Sequence, residues 1–278
     1  MTCIELIGCT SSGKSTLANH ILQFCRDEGI DVSLGENFLL DQFHLGRVGS
    51  SIVRAALVNL ISLPVALANW GKYRHFYSFA FRTITHLKIS WREKLYLGRN
   101  ILKSIGIYEV SNTRADDRTI ILLDEGLLNS ANALFVHIAV APPNAELSEF
   151  VRVVPFPAAA VYLREREEVL IRRTLAREHK RIRNGNRSEV EQFVHSAIAM
   201  FERLAQEPAV QSKLFIVNDG QVTPPQSGSN NPFQKFVLNI IRACLNERSG
   251  DTGIANQSFH LELHQSHAEI GNISDGKS

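Results

Sequence analysis

The sequence predicts an α/β fold built on a parallel sheet. Three observations point there. Short apolar runs alternate along the chain with longer stretches of helical periodicity. The first apolar run is followed at once by a glycine-bearing turn and an amphipathic segment. The chain has 278 residues, 44% hydrophobic and 21% charged, which is the composition of a globular protein able to bury a sizeable core.

Taken in order, Cys3 to Ile7 reads as a buried strand. The helix expected from about Ser15 to Glu28 places Leu17, Ile21, Leu22 and Cys25 at helical spacing and is closed by Gly29. Asp31 to Leu34 is the second strand. Thr119 to Leu123 is the third, flanked by Asp116-Asp117 and Asp124-Glu125-Gly126. Ala158 to Leu163 is the fourth, announced by Pro155 and Pro157, and Leu214 to Val217 is the fifth. Between them, Trp70, Tyr73, Tyr77, Ile84, Leu87, Trp91 and Leu95 recur at steps that predict an amphipathic helical insert. Glu167 to about Leu204 predicts two helices interrupted at Asn184-Gly185-Asn186. Residues 220–232 read as a loop and Phe233 to Leu245 as a last helix. The organisation expected is one domain over 1–248, with an insert at about 50–105 and a lid-like region at about 164–187. The polar stretch 249–278 is expected to be a disordered tail.

Composition narrows the functional classes. Cys3, Cys9, Cys25 and Cys244 form neither a disulfide framework nor a CxxC pair, which fits a reducing, cytoplasmic setting. MTCIELIGCT has no signal-peptide pattern. The longest apolar stretch, Ala55 to Ala68, is 14 residues and contains Asn59 and Pro64, so no transmembrane segment is expected. Net charge is +2, yet Trp70 to Ile105 carries eight Lys and Arg against the single acid Glu93, leaving −5 for the remainder. That asymmetry calls for an anionic partner. No nucleic-acid-binding module is recognised. His260, His264 and His267 lack the surroundings of a metal site.

The strongest motif is Gly8-Cys9-Thr10-Ser11-Ser12-Gly13-Lys14-Ser15, followed by Thr16, which matches G-x-x-x-x-G-K-[ST] between a strand and a helix. Glycines let successive N–H groups face phosphate oxygens, and the helix N-terminus adds partial positive charge. In such a loop Lys14 reaches the terminal phosphates and the Ser15 hydroxyl ligates Mg²⁺. Asp124-Glu125 at the end of the third strand reads either as the carboxylate supporting that ion, with Asp124 preferred, or as a helix N-cap. Residues 164–187 hold nine Lys and Arg against four acids. Arg173 and Arg177, one turn apart, are the candidates for stabilising charge during transfer, and the others suit a salt-bridged face.

These residues resemble the P-loop kinases, in layout the thymidylate-kinase-like and nucleoside-monophosphate-kinase-like branch. The matching pieces are GCTSSGKST, TIILLDEG and AAAVYLREREEVLIRRTLAREHKR. The resemblance implies a P-loop NTPase three-layer sandwich with a five-stranded parallel sheet in the order 2-3-1-4-5 and a helical insert after the second strand. It also implies ATP with Mg²⁺, and lid positions for Arg173, Arg177 and Arg181. The chain departs from the thymidylate kinases at Asp124-Glu125, where they carry Asp-Arg, and at Leu163-Arg164, where their fourth strand ends in an acid. Asp41-Gln42-Phe43-His44 resembles the D-x-F-[HY] element of uridine-kinase-like and pantothenate-kinase-like enzymes, which implies that Asp41 acts on an acceptor hydroxyl. Its other reading is a capping aspartate with Phe43 in the core.

The insert has three readings: core aromatics beneath a solvated charged face, a cover over an acceptor, or a peripheral membrane contact. Two functions remain. One is a phosphotransferase moving the γ-phosphate of ATP to a small-molecule acceptor, a nucleoside, nucleotide or other alcohol. The other is an ATP-binding regulatory or assembly protein that docks a partner or membrane through the insert. No N/T-K-x-D motif occurs, which favours ATP over GTP.

Overall fold

The computed structural model describes residues 2–116, 119–137, 144–177, 186–218 and 236–241. Five strands, β1 (Thr2–Ile7), β2 (Val32–Leu34), β3 (Ile120–Leu123), β4 (Ala159–Arg164) and β5 (Leu214–Asn218), form one parallel sheet in the order β2-β3-β1-β4-β5. This is the expected α/β architecture and strand order. β1 lies at the centre, with Ile4 opposite Leu122 on one side and Ala159 on the other.

Alternation along the strands assigns each face its helices. Ile4 and Leu6 of β1 join Val161 and Leu163 against Leu17, Ile21, Phe24 and Cys25 of α1 (Lys14–Asp27). The helical segment 236–241 adds Val237, Ile240 and Ile241 to the same layer. The opposite layer packs Ile7, Ala160 and Tyr162 against Phe193, Ala197 and Phe201 of α9 (Arg187–Gln206). A third cluster gathers Cys3, Ile121 and Leu123 with Phe38, Leu39 and Leu40 of α2 (Gly35–Asp41).

The insert forms three helices: α3 (Ser51–Ala68), α4 (Arg74–His86) and α5 (Trp91–Arg114). The periodicity from Trp70 to Leu95 therefore covers a turn holding Trp70 and Tyr73, then α4, then a break holding Leu87, then the start of α5. The break is local chemistry: Ser90 accepts a hydrogen bond from the Glu93 N–H while the Glu93 carboxylate accepts one from the Ser90 N–H, starting α5 afresh. Its aromatics divide. Tyr73, Phe76, Tyr77 and Phe79 are core, whereas Trp70, Trp91 and Tyr96 are exposed. Glu109, buried on α5, holds the turn before α4 by accepting from Lys72 Nζ at 2.7 Å and from the Tyr73 hydroxyl. The apolar run bounded above at 14 residues sits in an 18-residue helix, long and apolar enough by length and composition to cross a membrane. Its one charged group, Arg54, bonds Asn37 on α2 instead of ending the helix.

α3 and α5 touch backbone to backbone. A Cβ on Gly106 would lie 2.6 Å from the Ser62 carbonyl carbon and 2.7 Å from its Cα. Gly106→Ala must therefore separate the two helices, and we expect a loss of about 2–3 kcal/mol, at the upper end for an overpacked contact. Urea denaturation would read it as a lower midpoint at constant slope, and an unmoved midpoint would refute the close approach.

The chain continues through α6 (Ser130–Phe135), α7 (Asn144–Val153), α8 (Glu167–Leu175) and the short α10 (Pro208–Gln211) before β5. α8 ends at Leu175, earlier than the interruption expected at Asn184-Gly185-Asn186, and Asn186 caps α9; residues 178–185, with Lys180, Arg181 and Arg183, lie outside the described residues. The loop 220–232, most of the last helix, Cys244 and the tail with its histidines also lie outside them.

Candidate functional site

The loop between β1 and α1 has the geometry its sequence requires. Gly8 has φ 143° and Gly13 φ 97°, and Ser11 sits in the left-handed region at φ 65°. At Gly8 a Cβ would lie 2.9 Å from the Leu163 carbonyl oxygen of β4, so position 8 is closed to larger residues on two grounds. Ser12 N–H closes the turn onto the Cys9 carbonyl at 3.2 Å. α1 starts at Lys14 with Gly13 as N-cap, no capping side chain and no acid in its first turn. The N–H groups of Lys14, Ser15 and Thr16 thus have no intrahelical acceptor, and the helix dipole reinforces them. The Ser15 and Thr16 side chains are exposed, Thr10 is half-buried, and the buried hydroxyls of Ser11 and Ser12 have no protein partner.

Lys14 lies across this loop, donating to the carbonyls of Gly8 at 2.7 Å and Cys9 at 2.9 Å. Burial pushes its pKa down, against the opposing pull of Cys9, Glu125 and Asp124. Burial also pushes the Cys9 thiol up to about 12, so it stays neutral. β3 pairs in parallel with β1, Glu5 opposite Leu123, so Asp124 and Glu125 leave the sheet beside the loop and act electrostatically on Lys14.

Asp124 is not a helix cap. The chain after it bends through residues 124–129, and α6 begins only at Ser130. Burial raises the Asp124 pKa, followed by repulsion from Glu125 and Glu36, with Lys103 of α5 opposing. Lys103 bonds Glu36 at 2.9 Å and approaches Glu125 at 4.0 Å; burial pulls its pKa down, but the charge and hydrogen bond of Glu36 together with the charges of Glu125 and Asp124 leave it raised. Glu36, Asp124 and Glu125 line one small cleft with Gly35, Ser104 and Gly126. Three carboxylates with one lysine leave an excess of negative charge, and the Ser15 hydroxyl and Asp124 carboxylate are hard oxygen donors. That donor set suits Mg²⁺. Among the described residues, no group of three or more His, Cys, Asp or Glu is arranged to hold a metal ion without further ligands.

α8 brings Arg173 over the loop. Its guanidinium donates to the Ser11 carbonyl at 3.4 Å and pairs with Glu165 at 2.9 Å. Arg177 is exposed beyond the end of α8. Arg164 is structural, bidentate to Glu202 at 2.8 and 2.5 Å, and Arg187 pairs with Glu191 one turn on. Asp41 stands apart from the cleft. It is the exposed last residue of α2, its carboxyl packing over Gly46, where a Cβ would lie 3.0 Å from the Asp41 Cγ. Phe43 is not in the core either; it is exposed, with Arg114 4.9 Å over its ring.

Sequence reasoning missed Glu36, Lys103 and Glu5. Glu5 is a carboxylate in the middle of β1, 1% exposed, accepting from Leu128 N–H at 3.2 Å and Asn129 N–H at 2.7 Å. It fixes the chain just after Asp124 and Glu125. The signal was an acid inside the apolar run CIELI. Burial pushes the Glu5 pKa up to about 7 from 4.5, against donation from Asn129, Leu128 and Leu127. The folded state therefore holds this proton more tightly than the unfolded state. The resulting stability is full below about pH 4.5 and is lost as pH rises through about 7. The denaturation midpoint should fall across that window, and Glu5→Gln should flatten the slope. A variant retaining the wild-type slope would clear Glu5 of responsibility.

No protein-family model matches the chain, and no curated protein matches it in sequence. Among solved structures, shikimate kinase from Bacteroides thetaiotaomicron is similar with TM-score 0.35 and 14% identity, over 87% of this chain and 97% of that one. Shikimate kinase from Acinetobacter baumannii, solved with shikimate, gives TM-score 0.34 and 12% identity, over 89% and 95%. Likenesses this distant carry no argument about function, which rests on the site itself.

Proposed function

We propose that the protein is a Mg²⁺- and ATP-dependent phosphotransferase of the P-loop kinase type, acting on a small-molecule acceptor. The observation that supports this most is convergence. A loop shaped for phosphate oxygens, its lysine, the acids ending β3 and Arg173 meet at the carboxyl ends of β1, β3 and β4.

In this reading the first-turn amides of α1 and the Gly8–Ser15 loop bind the triphosphate and orient it. Lys14 exchanges two neutral carbonyl acceptors for anionic oxygens. Bound Mg²⁺ would supply charge neutralisation between phosphates, and Ser15 and Asp124 are the residues to hold it. Arg173 enters from α8 to meet charge that builds on the transferred group, and Arg177 lies on the same helix end. Glu36, Asp124 and Glu125 line a cleft with room for little more than a water molecule; in this reading the acceptor approaches at its mouth, where these carboxylates would repel a phosphorylated acceptor and suit a neutral alcohol. An alcohol needs a base. Glu36, in the first turn of α2 and lining the cleft, is our candidate for that role in preference to Asp41, which does not line it. The thymidylate-kinase-like assignment has no support in the cleft.

The direct test incubates the protein with Mg²⁺ and γ-labelled ATP, offering nucleosides, sugars, other alcohols and nucleoside monophosphates in turn. Label on a neutral alcohol supports the reading, and label on a monophosphate would overturn the acceptor argument. Label that stays on ATP or appears only as free phosphate favours the second reading, an ATP-binding regulator. The exposed apolar and basic insert is the feature on that side.

A further inference from the structure

α3 has the wrong face bare for a helix in the interior of a protein. Only Val58, Ser62 and Ala66 are buried. Val53, Ala56, Leu60, Pro64 and Leu67 recur at three- and four-residue steps along its exposed side, so they form one apolar stripe. Leu60 is 69% exposed and Leu67 55%, and Ile52 at the helix start is 82% exposed. The stripe continues into α4 and α5. Trp70, one turn past Leu67, stacks on Tyr77 at 4.2 Å and on Phe81 at 5.9 Å. Phe81 in turn abuts Gly98 of α5, where a Cβ would lie 3.2 Å from its ring. Leu95 and, at the start of α5, Trp91, 66% exposed, lie one and two turns before Gly98 on the same side of the helix, and Tyr96 is exposed next to Leu95.

The charges beside this surface have one sign. Arg74, Arg92 and Arg99 are exposed on α4 and α5 and Lys88 on the link between them, Arg92 lying 5.9 Å over the Trp91 ring and Arg99 4.9 Å over that of Tyr96. The only acid from Trp70 to Ile105, Glu93, is engaged in capping α5. We propose that this face is a docking surface for an anionic lipid bilayer, with α3 lying in the plane of the headgroups. Apolar side chains enter the acyl boundary, the aromatic rings sit at headgroup level, and the arginines and lysines meet lipid phosphates.

Charge argues against a second copy of the chain as the occupant. A two-fold dimer presses the same patch against itself, and although Lys72, Arg82 and Lys103 are paired with Glu109, Glu149 and Glu36, the exposed Arg74, Lys88, Arg92 and Arg99 would still meet their own copies. Packing argues against a transmembrane α3. Its buried face is in backbone contact with Gly106 of α5, and a spanning α3 would have to leave that contact. None of this rests on the phosphotransferase reading.

Both tryptophans of the chain lie on the insert, so their emission reports on the proposed surface. The full chain would be mixed with phosphatidylcholine vesicles, with or without about 30% phosphatidylglycerol. The expected result is sedimentation with the anionic vesicles, a blue shift in emission and quenching by brominated acyl chains. Binding should weaken severalfold at about 0.5 M salt. Leu60→Gln with Leu67→Gln changes two exposed side chains and should lower partitioning by about tenfold or more, with circular dichroism and elution volume unchanged. No sedimentation with either vesicle overturns the proposal. So does undiminished binding by the double variant, or a self-associated species that the same variant dissolves. Protein that resists alkaline extraction from the vesicles would overturn it in favour of a spanning helix.

Discussion

Lys14→Ala is expected to lower phosphate transfer from ATP by on the order of a thousandfold, with a much smaller change in KM for the nucleotide. The asymmetry follows from the loop. The first-turn amides of α1 and the curl from Gly8 to Gly13 are backbone features and survive the substitution, so they continue to bind the phosphates. The side chain supplies a mobile point charge, now held by the Gly8 and Cys9 carbonyls. Its interaction strengthens as charge builds on the transferred group, which places the loss in kcat. Lys14→Arg should rescue little, because a planar fork does not reproduce a compact ammonium seated between two carbonyls. The measurement is steady-state transfer of γ-label to whichever acceptor is found. A variant within about tenfold of the wild type would show that the loop does not do chemistry with its lysine.

Asp124→Asn is expected to reduce transfer about a hundredfold or more and to raise the Mg²⁺ concentration needed for half-maximal rate. Stability should move the other way. Burial and the carboxylates of Glu125 and Glu36 all disfavour the charged form of Asp124, so a neutral amide of the same shape relieves repulsion. A site residue that lowers activity while leaving the denaturation midpoint unchanged or raised is one whose charge serves a ligand and not the fold. An equal fall in activity and stability would instead mark Asp124 as structural. Transfer that survives Lys14→Ala and Asp124→Asn together would end the assignment of phosphate transfer to this site.

What could be read in advance follows a physical division. The phosphate loop was legible because its chemistry is local: two glycines, a lysine and a hydroxyl within eight residues, between an apolar run and a helix. The strands were legible because each is bounded by turn-forming or acidic residues, as TIILL is by Asp116-Asp117 and Asp124-Glu125. Ser90 to Glu93 carried a capping box that divides α4 from α5, yet the aromatic periodicity masked it. Periodicity counts positions and does not register a hydrogen-bonded restart.

The cleft was not legible in this way. Asp41 matched a motif, but α2 starts directly at Gly35, where a Cβ would lie 2.9 Å from Ile107, so Glu36 faces the cleft and Asp41 falls at the far end of the helix. Lys103 and Glu125 meet from elements more than twenty residues apart in sequence. Nothing local in either segment encodes that meeting. The amino-acid sequence by itself determined the α/β class, the phosphate loop and where α8 and α9 begin, since each is set by neighbours a few residues away. Only the tertiary structure decided which carboxylate enters the cleft, that Glu5 anchors the chain beyond Asp124, and that α3 turns an apolar stripe outward. Those depend on which faces the packing of the sheet and the insert leave open, and that is a property of contacts between distant segments.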